Sequence, residues 1–332
     1  MWRATPAVLS CCNEQRTYEM PGAASAYAWL HLLDRYVRTW IALEKLVVEG
    51  CIPLARYGVR TLDVGTGPGP SAFAVHDFYA TMTEFANQTG NAQWRQPPRL
   101  TCVEFDSSTS HLRHHLAETV FEQSQQKVKG VLAMCHSMVD FADIMPSRDR
   151  KLLLDTLRRK EDEYFDEEVN QWVGESYHSA DEANETAQSL HRYRLIMFSN
   201  FLTTVGAVYS FKANLVDIFH DARPGTVITV IGGKRGPYPE IYEYVDRLAK
   251  PAGFQLEVAG SEVSSEGSTV AEGVYAEGER LYRHLQSLAR NEDDETRVVR
   301  EHFEGSRQAA PSSQLWAYRK HDYARGDHPT TA

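Results

Sequence analysis

Apolar residues recur at mostly three- and four-residue steps between Ala23 and Gly50, where Tyr27, Leu30, Leu33, Val37, Ile41 and Leu43 share a stripe that a glycine closes. That spacing predicts one long amphipathic helix. The period then changes. "VRTLDVG" (Val59 to Gly65) is short, β-rich and apolar, as a strand buried on both faces of a parallel sheet should be. Helical spacing resumes in "PSAFAVHDFYATMTEFANQ", directly after a glycine-rich turn, so this stretch reads as strand, tight turn, helix. "QTGNAQWRQPPR" has no period and many turn formers. "LTCVEFD" (Leu100 to Asp106) predicts a second strand, and Ser107 or Ser108 would cap a following helix with Leu112, Leu116 and Val120 on one face. A first β-α-β unit is then complete.

From about residue 146 to 192 charge replaces periodic apolarity, which predicts a helical insertion with a solvated face. The alternation then returns. "RLIMFSNFLTT" reads as a strand ending near Asn200, "SFKANLVDIFHDA" as a helix, "PGTVITVIGG" as a strand, "PEIYEYVDRLAKPAGF" as a helix and "FQLEVAG" as a strand. An acidic helical stretch (about 272–304) precedes "SQLWAYRK" (Gln314 to Lys320), expected to return antiparallel at the sheet edge. The pattern predicts one doubly wound α/β domain with a seven-stranded, mostly parallel sheet. Its parts would be a helical leader or lid (1–58), the α/β domain with both insertions (59–322) and a tail (323–332).

Composition narrows the classes of function. The formal net charge of −10 repels phosphate backbones, so non-specific nucleic-acid binding is disfavoured. A local patch from Arg148, Arg150, Lys151, Arg158, Arg159 and Lys160 keeps an RNA substrate open, although acids interrupt it. Five cysteines with no C-x-x-C pair give neither a disulfide framework nor a zinc ribbon and fit a reducing cytoplasm; Cys11 and Cys12 read as part of a frayed terminus. No apolar run approaches the roughly 18 residues of a membrane span, and "MWRATPAVLSCC" is too short in its apolar part for a signal peptide. His111, His114 and His115 in "HLRHH" lack a carboxylate or cysteine at matching spacing, so no metal is expected there. His136 and Asp140 in "CHSMVDFAD" have either helical i, i+4 spacing or a place on a third strand.

The glycine-rich turn carries the chemistry. Glycines between a strand and a helix let a ligand approach the backbone closely. A dinucleotide wants G-x-G-x-x-G; read from Gly65 the last position is Pro70, and read from Gly67 it is Ala72, so the glycines alone leave NAD open. Asp63 tips the balance away from it, because a carboxylate two residues before Gly65 would repel a pyrophosphate and welcome a cation. Asp63, Gly65, Gly67 and Gly69 resemble the D/E-x-G-x-G-x-G motif of the class I S-adenosylmethionine-dependent methyltransferases. The resemblance implies that the turn, with Thr66, faces the cofactor's methionine portion and that Asp63 supports its ammonium end. "CVEFD" is similar to the family's second acidic landmark, with Glu104, or Asp106 in its place, on the ribose hydroxyls. "DARPGTVITVIGG" resembles the turn that feeds the fifth strand. The likeness covers about residues 59 to 260 plus the last strand. The GTGPG turn and helical leader also resemble ribosome-associated methyltransferase-like proteins, whose clustered cysteines this chain lacks.

Methyl transfer from a sulfonium needs placement more than acid-base machinery. In the fold implied, the end of the fourth strand faces the methyl group, which brings in Ser199, Asn200 and Thr203. Asn200 either orients an amine acceptor or caps the strand. Lys234 and Arg235 in "GGKRGPYPE" would hold an acidic substrate group, with Tyr238 as an aromatic wall and second candidate for catalysis. Tyr27, Trp29 and Tyr36 form a lid over the cofactor or pack in the core. The expected activity is methyl transfer from S-adenosylmethionine to a small molecule or protein side chain. A silent cofactor-binding scaffold and an RNA methyltransferase are the alternatives, with an NAD-dependent oxidoreductase last.

Overall fold

A computed structural model describes residues 4–10, 21–54, 59–65, 67, 69–90, 99–104, 135–140, 193–288 and 313–321 of the chain. Two helices lead, α1 (Thr5–Ser10) and α2 (Ala23–Val48). Strand β1 (Arg60–Val64) then feeds α3 (Pro70–Gln88). Strands β2 (Arg99–Glu104), β3 (Cys135–Asp140) and β4 (Leu195–Ser199) follow. Helices α4 (Val205–Ser210) and α5 (Lys212–Asp221) lead to β5 (Val227–Gly233) and α6 (Tyr238–Ala249). The chain then forms β6 (Phe254–Val263), α7 (Thr269–Leu288) and β7 (Ser313–Lys320).

The strands form one sheet in the order β3-β2-β1-β4-β5-β7-β6. Neighbours from β3 to β5 are parallel, and β7 runs antiparallel to both β5 and β6. The "CHSMVD" segment is therefore a strand, and its register pairs Leu100 with His136 and Glu104 with Asp140. One expectation is corrected: the last strand lies inside the sheet, between β5 and β6, and does not form its edge. Burial explains why. Leu315, Ala317 and Tyr318 of β7 are fully buried, whereas β6 exposes half of its residues and is interrupted by two register shifts, as edge strands commonly are.

Strand alternation sends side chains to two cores. On one face Leu62, Ile196, Phe198, Ile228 and Val230 pack with Leu215, Ile218 and Phe219 of α5 and Ile241 and Val245 of α6. On the other, Leu195, Met197 and Val227 pack with Val37, Ile41 and Leu46 of α2 and Val75 and Phe78 of α3. The leading helix α2 thus belongs to the main layer. It is pinned to α3 by a 3.0 Å hydrogen bond between the Thr39 and Ser71 hydroxyls, and the Tyr36 hydroxyl donates to Asp77 Oδ2 at 2.9 Å. Trp29 stacks on Tyr282 of α7 with centroids 6.1 Å apart. Trp29 and Tyr36 accordingly serve packing between helices.

The chain builds outward from β1 through β2 to β3, then returns to β4 and β5 on the other side. The connections after β1 and β4 therefore diverge, the arrangement that in doubly wound sheets leaves a crevice between the carboxyl ends. Such a switch point is where doubly wound sheets bind ligands.

Candidate functional site

The first wall of the crevice is the turn after β1. Asp63 is 1% exposed and, by alternation from Leu62 and Val64, belongs to the face covered by α2 and α3. Gly65, Gly67 and Gly69 have φ of 74°, 53° and 82°, in the left-handed region that L side chains rarely adopt. Gly65 is also sterically required: a Cβ there would stand 2.2 Å from Cδ2 of Phe201, whose ring lies against the glycine. At Gly67 the nearest atom to such a Cβ is Tyr27 Cε1, at 3.8 Å, so this part of the backbone is approachable. Gly69 caps α3 and Pro70 begins it, which points free amide groups of the helix N-terminus at the turn. Glu104 closes β2 next to Asp140, the last residue of β3. Thr66, Asp106, His111, His114, His115 and the basic stretch from Arg148 to Lys160 lie outside the described residues.

The second wall follows β4. Strand geometry ends at Ser199 because Asn200 turns left-handed, with φ 53°. Asparagine tolerates this conformation better than other residues with a Cβ. The Asn200 N–H donates to the Ile231 carbonyl of β5 at 2.8 Å, and its Nδ2 donates to Ser199 Oγ at 3.4 Å. Phe201 then stacks on Phe211 with centroids 5.1 Å apart while covering Gly65. Thr203 is half-buried, and the Thr204 hydroxyl caps α4, a short helix that the sequence reading did not anticipate. Ser199 and Asn200 thus stand at the carboxyl end of β4, the strand beside β1. Asn200→Asp should keep the turn, with a stability change under about 1 kcal/mol, whereas Asn200→Val should cost about 2 kcal/mol in urea unfolding. Any loss of activity in Asn200→Asp then reports chemistry rather than backbone strain.

The third contributor is the end of β5. Tyr238, at the start of α6, lies flat on Gly232 and Gly233: a Cβ on Gly232 would meet its ring at 2.3 Å. The Tyr242 hydroxyl donates to the Gly233 carbonyl at 2.9 Å. Burial pushes the Tyr238 phenol upward, partly offset by the charges of Arg35 and Arg38. A neutral phenol is a hydrogen-bond donor at physiological pH and a poor base, which narrows what Tyr238 can do. Of the two cations expected beside it, Lys234 pairs with Glu262 of β6 at 2.5 Å and Arg235 points into solvent. Sequence reasoning missed Arg35 and Arg38 on α2, whose charges act on Tyr238. Their signal is legible in "LLDRYVRTW", where charges interrupt an apolar stripe.

Among the described residues no cluster of histidine, cysteine and carboxylate side chains is placed to hold a metal ion, and no helix is long and apolar enough to cross a membrane.

No protein-family model matches the chain, and no curated protein matches it. Solved structures do. Phosphoethanolamine N-methyltransferase 2 of Haemonchus contortus is 12% identical, with 83% of this chain and 52% of that one covered and a TM-score of 0.38. The arsenic(III) S-adenosylmethionine methyltransferase of Chlamydomonas reinhardtii is 11% identical, with 81% and 65% covered and a TM-score of 0.32. The YcgJ protein of Bacillus subtilis is 11% identical, with 85% and 98% covered and a TM-score of 0.33. The chain spans about half the length of the Haemonchus contortus enzyme. The resemblance to class I methyltransferases therefore rests on the chain's own features, the strand order ending β5-β7-β6 and the turn from Asp63 to Gly69.

Proposed function

We propose that the chain is an S-adenosylmethionine-dependent methyltransferase of the class I superfamily, acting on a small molecule or a protein side chain. The observation that carries this reading is a buried carboxylate, Asp63, placed just before a left-handed glycine turn at the switch point of the sheet. An all-parallel dinucleotide-binding sheet runs 3-2-1-4-5-6. Here an antiparallel strand stands between β5 and β6, and the acid beside the turn suits a cationic ligand.

The residues fit that cofactor. Asp63 takes its ammonium group, the approachable backbone at Gly67 accommodates its methionine portion, and Glu104 takes the ribose hydroxyls. The bound sulfonium supplies an already activated methyl group. Ser199 and Asn200 position the acceptor at the end of β4, where the Asn200 side-chain carbonyl is suited to accept a hydrogen bond from an amine and fix its lone pair. The Tyr238 ring closes the far side and excludes water. Rate enhancement then comes from alignment in a dry crevice more than from proton transfer.

Calorimetry with S-adenosylhomocysteine tests the cofactor assignment. Binding is expected, and Glu104→Ala should weaken it about tenfold, as the loss of hydrogen bonds to a charged group does. A wild-type protein that ignores S-adenosylhomocysteine overturns the reading. Methyl label passing from S-adenosylmethionine into an extract component, and failing to do so with Asn200→Asp, separates an enzyme from a silent scaffold.

A further inference from the structure

Adjacent strands of the sheet start on arginines. Arg60 opens β1, and Arg99 holds the same position of β2 by register. Arg194 stands immediately before β4 and donates its N–H to the Arg60 carbonyl at 2.9 Å. Parallel neighbours lie about 4.8 Å apart, so Arg60 and Arg194 are side by side at the amino edge of the sheet, the edge opposite the glycine turn. Alternation from Leu195, which faces α2, puts both on the face that α5 covers. Arg223 joins them where the chain leaves α5 for β5. The Thr226 N–H donates to the Arg223 carbonyl at 3.1 Å across a turn in which Gly225 is left-handed, and the Arg194 guanidinium donates through Nη1 to the Pro224 carbonyl of that turn at 3.2 Å.

These charges are not balanced locally. Among the described residues no carboxylate pairs with Arg194 or Arg223, and the Arg223 guanidinium makes no hydrogen bond. The Nε–H of each is buried without an acceptor. The negative end of α5 could have compensated them, but Lys320 occupies it, donating through Nζ to the Phe219 and His220 carbonyls at 2.9 and 2.8 Å. The charge of Asp221, the last residue of α5, likewise acts on Lys320. Burial, then repulsion from Arg194 and Arg60, brings Arg223 down to about 10. In a chain whose net charge is −10, two half-buried guanidiniums left side by side without an acid are completed by an anion from outside.

We propose that Arg194 and Arg223, with Arg60 beside them, form a phosphate site at the amino edge of the sheet that takes a phosphate monoester or free phosphate as the dianion. A carboxylate balances one guanidinium, whereas a dianion with three terminal oxygens balances two and accepts from both forks. Asp63 and Asn200 stand at the other end of the strands, so this ligand site is separate from the proposed cofactor site and does not rest on the methyltransferase reading.

The test is calorimetry on the full-length protein in a phosphate-free buffer at about pH 8, where a phosphate monoester carries close to two charges. Phenyl phosphate and inorganic phosphate are the dianionic probes, dimethyl phosphate stands for the singly charged diester of a nucleic-acid backbone, and acetate is the carboxylate. At least one dianion should bind about tenfold or more tightly than either monoanion. The tighter of the two dianions tells a phosphorylated small molecule from free phosphate as the source. Arg223→Gln should abolish the preference, and because that guanidinium bonds to nothing in the fold the change removes little besides charge. Thermal unfolding gives an independent reading: the preferred dianion should raise the wild-type midpoint and leave that of Arg223→Gln unmoved. Without phosphate, Arg223→Gln should unfold no lower than wild type, since one of two repelling charges is gone. Arg283→Gln on α7, where Arg283 pairs with exposed Glu279, should behave as wild type. S-adenosylhomocysteine affinity should stay within about threefold in both variants. The site is overturned by dimethyl phosphate or acetate binding as tightly as the dianions, by no dianion binding, by a preference that survives Arg223→Gln, by a lower midpoint of that variant in phosphate-free buffer, or by a larger fall in its S-adenosylhomocysteine affinity. A phosphate preference in a protein unable to bind S-adenosylhomocysteine would leave the site standing and remove the methyltransferase reading.

Discussion

Asp63→Asn is expected to weaken S-adenosylhomocysteine binding about 100-fold while lowering folding stability by no more than about 1 kcal/mol. A carboxylate and an ammonium about 4 Å apart attract by about 4 kcal/mol at an effective dielectric of 20. Desolvation offsets part of that, leaving about 2.7 kcal/mol, which is 100-fold in affinity. The stability change should be small because Asp63 is 1% exposed and asparagine fills the same volume without a charge to desolvate. A purely structural carboxylate would give the opposite pattern, a loss of several kcal/mol in urea unfolding with ligand affinity intact in the folded fraction. Calorimetry and unfolding on the same variant separate the two. The substitution should not create NAD affinity, since the sheet still departs from the dinucleotide order at β7.

The parts of the fold legible in the sequence are those where one local cause dominates. The long leading helix is written in the stripe that includes Val37, Ile41 and Leu43, all buried in the core that α3 shares. Strands β1, β4 and β5 are short apolar runs because both faces of the sheet are covered. Where the decisive contact is distant in sequence, the reading went astray. Nothing in "SQLWAYRK" tells that it inserts between β5 and β6; that follows from which strand can tolerate exposure, a property of the assembled sheet. By contrast "RLIMFSNFLTT" places the end of its strand near Asn200, and β4 ends at Ser199, where Asn200 turns left-handed and bonds to Ile231.

The site divides in the same way. The proposed cofactor wall is local, because Asp63 and the three glycines fall at alternate positions of one turn, where the glycines act through backbone conformation. The proposed acceptor wall draws on β4 and α6, elements far apart in the chain. Sequence reasoning therefore chose the nearest cations, Lys234 and Arg235. It could not see that Glu262 engages Lys234.

Gly65→Ala should destabilise the fold by about 3 kcal/mol, and adding Phe201→Ala should cost almost no further stability. Two penalties combine at this glycine. A φ of 74° costs a residue with a Cβ about 1 to 2 kcal/mol. The added methyl would also stand 2.2 Å from Phe201 Cδ2, and the ring has little room to retreat because it stacks on Phe211 and Phe198. Displacing a packed aromatic costs about 1 to 3 kcal/mol. Phe201→Ala alone should cost about 2 kcal/mol, less than a fully buried ring. If the clash is real, the double variant should lose about 3 kcal/mol instead of the 5 or so that independent sites would give, a coupling of about 2 kcal/mol measured by urea unfolding. Simple additivity would sink the contact. Relief of the clash should not bring recovery of function. The Gly65–Phe201 contact ties the connection after β1 to the connection after β4, the two sides of the switch point. With a methyl at the turn and no ring across from it, the clash is gone while the two connections lose their registration. S-adenosylhomocysteine affinity should stay depressed at least tenfold in the folded double variant.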